Sequence, residues 1–181
     1  MSAGRMLAAL PPAGGIMRAE LSEIEVDADD FRLTGAGTRL TASLEEALAL
    51  CLGDERRGLG GLLHLRCHHP GGRPPELTDN TLSAVLVALG RFKRAVLGAA
   101  PRREGVTAHL VVQTRAPEGS ACSASLADLV RADLADEGID CSLHVLRRNA
   151  TVCVRFDPAA GRLWVAGADE ARSPSAQRQR L

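Results

Sequence analysis

The sequence predicts an α/β fold, a mostly parallel sheet with helices on both faces. Three observations predict it. Short apolar runs bounded by glycine alternate with longer stretches whose apolar residues recur at helical spacing. The order runs strand, helix, strand, helix, strand, helix, strand and then a terminal hairpin, an alternation that favours parallel pairing through crossovers. The 181 residues are 45% apolar and 24% charged, the balance of one globular domain with a sizeable core. With three Phe, one Trp and no Tyr, that core is built from Leu, Val, Ala and Ile.

Residues 1–20 are rich in Gly, Pro and Ala and are expected to be flexible. A single domain is expected over 21–169, and a disordered tail over 170–181. Within the domain, "RAELSEIEVDADDFRLTGAG" is read as holding one or two strands, with "DFRLTGA" from Asp30 the better candidate. "TASLEEALALCLGDERRG" reads as a helix: Thr41 or Ser43 is its N-cap, Glu45 and Glu46 suit the first turn, and Leu44, Ala47, Leu48 and Cys51 fall at helical spacing. Leu62 to Cys67 reads as a strand entering the loop "HHPGGRPP". A long helix follows from Asn80 to Leu97, capped by Thr78 or Asp79, with Gly98 near its end. Ala108 to Gln113 reads as a strand. "SLADLVRADLADEG" reads as an amphipathic helix with Leu126, Leu129, Val130 and Leu134 on one face and Gly138 just past its end. "IDCSLHVL" is the next strand, and "TVCVRFDPAAGRLWVAG" is a hairpin about a Pro-Ala-Ala-Gly turn.

The charge balance narrows the range of partners. With 22 basic and 22 acidic residues, no overall basic field favours nucleic acid or an anionic membrane. No apolar run reaches the length of a membrane span, and "MLAAL" is too short for a secretory signal. The five cysteines form no CxxC, and three lie in apolar runs, so a reducing, cytoplasmic setting is expected.

"TASLEEALALCLGDERRGLGGLLHL", "DNTLSAVLVALGRF" with Asn80 and Ser83, "AHLVVQT" and "LADLVRADLADEGIDCSLHVL" follow one another in a familiar order. Over residues 31 to 155 that order resembles a short-chain dehydrogenase/reductase (SDR) of the ketoreductase branch. The resemblance implies a truncated Rossmann-like sheet, mostly parallel, in which "DFRLTGAG" is the family's third strand and residues 1 to 30 stand where its nucleotide-binding start belongs. It also implies loss of chemistry. The catalytic Ser, Tyr and Lys positions fall near Thr114, Ala116 and Ser120, and a chain without Tyr has no phenol to protonate a carbonyl. "RCHHP" replaces the family's Asn-Asn-Ala-Gly loop.

The densest reactive cluster is Cys67, His68 and His69, a metal site or a His-paired thiol on the sharp reading and a solvated loop on the plainer one. His64, His109 and His144 alternate with apolar residues and read as core or sheet-edge histidines. The helix from Asn80 is apolar on more than one side. The resemblance implies a partner face there, formed by Leu82, Val85, Leu86, Leu89, Phe92 and Val96 together with Leu126, Leu129, Val130 and Leu134.

The expectation is therefore a non-catalytic SDR-like pseudoenzyme. It associates with and stabilises a competent ketoreductase subunit in a bacterial natural-product pathway, polyketide or related, as a heterodimer or heterotetramer. No cofactor or metal is expected in this chain, with NADPH held by the partner subunit. Two alternatives stand beside it: a self-sufficient enzyme using the Cys67, His68 and His69 loop, and a homodimer binding a small apolar ligand at the strand ends.

Overall fold

The computed structural model describes residues 22–67, 79–98, 104–115 and 120–167, with helix side chains described from Leu82 and from Ser123 onward. The expectations for 1–20 and 170–181 lie outside these residues. In chain order the elements are β1 Ser22–Glu25, β2 Asp30–Gly35, β3 Thr38–Leu44, β4 Ala47–Asp54, β5 Leu59–Arg66, α1 Asp79–Leu97, β6 Val106–Thr114, α2 Ser120–Asp136, β7 Cys141–Arg147, β8 Val152–Asp157 and β9 Arg162–Gly167. Among the described residues, nine strands form two sheets. The larger runs β2-β5-β4-β6-β7 and the smaller β1-β3-β8-β9.

The Rossmann-like expectation is corrected by this topology. In the larger sheet β2–β5, β5–β4 and β4–β6 pair antiparallel, and β6–β7 is its one parallel pair. The two helices lie on one face of that sheet, and the smaller sheet covers the other. The architecture is a three-layer stack of helices, sheet and sheet. The SDR-like, pseudoenzyme and polyketide-pathway reading loses its structural basis with this correction.

The decisive local difference is at residues 44–54. The expected helix is instead β4, and all eight of its residues are buried. β4 is hydrogen-bonded to a strand on each side and packed on both faces, so its sequence is continuously apolar. A short run of that kind fits a buried helix and a buried strand equally by period. Glu46, at φ 49°, sits in the left-handed region and turns the chain sharply from β3 in one sheet to β4 in the other.

Both faces of the larger sheet carry core. On the helix side, Leu48, Leu50, Leu52, Leu63, Leu110 and Val112 meet Val85, Leu89, Phe92 and Val96 of α1 and Leu126, Val130 and Leu134 of α2. On the sheet side, Ala49, Cys51, Leu62 and Val111 meet Leu40, Ala42, Leu44, Val152, Val154 and Phe156. The outer face of the smaller sheet is charged: Glu23 lies 3.8 Å from Arg39 and 3.6 Å from Arg155. The Arg39 guanidinium lies 4.9 Å from the centre of the Trp164 ring, which fixes that indole locally.

Candidate functional site

The β6–α2–β7 crossover leaves β7 at the rim of the larger sheet. One side of its backbone bonds to β6, and the other, which pairs with no strand among the described residues, presents the row of N–H and C=O groups of an edge. Leu143 and Val145 are the register partners of Leu110 and Val112, so they lie on the helix-covered face. α2 does not reach over them, and they stay 37% and 51% exposed. Among the described residues, the edge therefore combines backbone groups without a strand partner and exposed apolar side chains.

Two hollows flank this edge along α2. One, of about 210 Å³, is lined by Val112, Thr114, Ala127, Asp128, Val145 and Arg147. The other, of about 270 Å³, lies towards the end of the helix against Arg131, Ile139, Asp140 and Cys141. The buried Thr114 hydroxyl has no hydrogen-bond partner among the described residues. The Cys141 thiol is pushed up to about 11 by burial, against the pull of the Arg131 charge.

The opposite face of the edge holds a histidine pair. The His109 and His144 rings lie 6.1 Å apart, and His109 Nε2 is 3.2 Å from the Gly161 carbonyl oxygen. Burial, and then the charge of His109, hold His144 below the usual histidine range. Cys51, the register partner of His109, is fully buried, and burial raises its thiol far above a reactive value. Such a thiol is a core residue rather than a nucleophile. Among the described residues, no group of three or more His, Cys, Asp or Glu is placed to hold a metal ion.

The residues singled out from the sequence separate in space. Cys67 is buried just beyond β5, where its N–H donates to the Glu46 carbonyl at 2.8 Å, and His68 and His69 lie outside the described residues. Thr114 ends β6 beside the first hollow, Ala116 lies outside the described residues, and Ser120 opens α2 with its side chain undescribed. Val85, Leu89, Phe92, Val96, Leu126, Val130 and Leu134 are buried in this chain's own core, Leu82 and Leu129 are half-buried, and Leu86 is exposed. His64 is buried, with Nδ1 3.1 Å from the Val26 carbonyl oxygen. Lys93 is held between α1 and α2 with Nζ 2.5 Å from both Asp133 and Glu137. Burial works against its charge, but the two carboxylates outweigh burial and raise its pKa.

The fold and this rim define the class: a helix-covered stack of two sheets with an open apolar edge. No protein-family model matches the chain, and no curated protein matches it. Among solved structures, the hypothetical protein YfiH from Bacillus licheniformis is similar to it at a TM-score of 0.41 and 13% identity, over 65% of this chain and 51% of that one. The chain thus spans about half the length of that structure. Among the described residues, no helix is long and apolar enough to cross a membrane.

Proposed function

We propose that the protein works by association, taking up a partner's strand or sheet edge along β7, and performs no chemistry of its own. The observation that carries this reading is the exposure of Leu143 and Val145 on a strand whose outer backbone side has no strand partner among the described residues. The reactive groups described nearby support it, since Cys51 and Cys141 are both raised by burial. The hollows favour a protein partner over a small ligand. Each is smaller than the roughly 300 Å³ at which ligand sites usually begin.

A reductase partner carrying NADPH drew on the Rossmann-like frame, and the stacked sheets remove that ground. The edge itself specifies the partner instead: an extended backbone with apolar side chains on one face. A reducing, cytoplasmic setting belongs to the same proposal, because Cys51, Cys141 and Cys153 are free thiols.

A photo-crosslinking residue in place of Val145 in the full chain, in its native cells, tests the reading. We expect a product of one discrete mass that is lost when Leu143→Asp is added, and no such product from Glu104, which is exposed in the turn before β6. Absence of any product at Val145 would sink it.

A further inference from the structure

The register of β7 points to its occupant: we infer that a second copy of this chain pairs with it, antiparallel, about a two-fold axis at His144. This rests on the reading of β7 as an association edge and goes beyond it by naming the partner. A two-fold axis normal to the sheet makes an edge pair with itself in isologous fashion. Residues directly opposite then share a face, so only registers that keep each side chain on its own face are open.

One register matches the chemistry of the strand. Centred on His144, it sets Leu143 opposite the second copy's Val145, and Val145 opposite its Leu143. On the helix side this closes a four-residue apolar cluster over the positions that α2 leaves bare. At the ends it sets Asp140 opposite the second copy's Arg148, and the reverse. Both residues are exposed, so each end of the paired strands gains an opposite-charge contact. Moving the axis to Val145 places Leu143 opposite Arg147, and moving it to Leu143 places Arg147 opposite Ile139. Both shifts separate Asp140 from Arg148 and Leu143 from Val145, whereas the register centred on His144 keeps both pairs and sets Arg147 opposite the second copy's Cys141.

The other edge of the larger sheet makes the contrast. β2 carries Asp30 and Arg32, ion-paired at 2.7 Å and both well exposed, as charged residues that blunt an edge. Within β7, Arg147 at the end is the one residue with a permanent charge. The pairing joins two five-stranded sheets into one of ten strands.

Sedimentation of the full chain, with cysteine trapping, tests the inference. We expect twice the single-chain mass of 19.1 kDa at micromolar concentration. Val145→Lys should return it to a single mass with an unchanged far-UV spectrum. In a Cys141→Ser background, His144→Cys should form a covalent dimer on mild oxidation, because opposed Cα atoms in an antiparallel pair lie within disulfide reach. Leu143→Cys and Val145→Cys should each stay single alone and cross-link when mixed. A single mass at every concentration overturns the inference, as does a dimer that survives Val145→Lys or one in which His144→Cys does not cross-link. A single mass together with a Val145 photo-product of another size removes the second copy and leaves the edge reading standing. A single mass with no photo-product removes both.

Discussion

Gln113 is fully buried, and its side-chain amide gathers three backbone groups from two stretches of chain. Its oxygen accepts from the Glu46 N–H, while its nitrogen donates to the carbonyls of Arg148 at 2.8 Å and Ala150 at 3.3 Å. These backbone groups lie at two of the places where the chain passes between the sheets, from β3 to β4 and from β7 to β8. Gln113→Leu keeps the bulk and strands those groups, so we expect a loss of about 1–3 kcal/mol in denaturant unfolding. An unchanged midpoint would show that the crossovers do not lean on this amide. His64 sets a pH dependence. Burial lowers its pKa from 6.5, and the hydrogen bond to Val26 only partly opposes that. The folded state therefore favours the neutral ring. Its contribution is intact above pH 6.5 and is lost as pH falls through the lowered value, because the unfolded chain takes up the proton first. The thermal midpoint should fall with pH below 6.5, and His64→Gln should flatten part of that slope.

At the scale of elements, Gly61 shows why β5 packs as it does. A Cβ there would lie 2.7 Å from Phe92 Cε2 and 2.8 Å from the Arg32 carbonyl oxygen, so the glycine is what lets α1 and β2 close on the strand. Gly61→Ala should cost about 1–3 kcal/mol through overpacking, read as a lower thermal midpoint. The sequence reads "GG" at 60–61 as the boundary of a strand, whereas both glycines lie inside it. The helices were legible because Val85, Leu89, Phe92 and Val96, and Leu126, Val130 and Leu134, repeat at 3.6-residue spacing against one neighbour. β6, β7 and the β8–β9 hairpin were legible from apolar runs between glycine-bearing turns. β4 was not, because a strand buried on both faces has no alternation to show. The candidate site was legible only in pieces. Leu143 and Val145 read as ordinary strand residues, and nothing local says that α2 stops short of them.

At the scale of the molecule, strand order separates this fold from the one its element order suggests. Alternating helices and strands favour a parallel sheet, but only β6–α2–β7 closes that way in the larger sheet. The chain changes sheets at β1–β2, β2–β3, β3–β4 and β7–β8, and such partner choices come from long-range packing that no local period encodes. The same topology leaves β7 on the rim with exposed apolar side chains, and pairing of this edge with a second copy follows from it. Backbone hydrogen exchange of the full chain, compared between dilute and concentrated solution, tests that pairing most directly. The outward-facing amides of β7, on alternate residues, should exchange far faster than those of β6 when dilute, and become protected on concentration across 141–147 with little change elsewhere. Exchange of those amides that is slow in dilute solution, or unaltered by concentration, would contradict it.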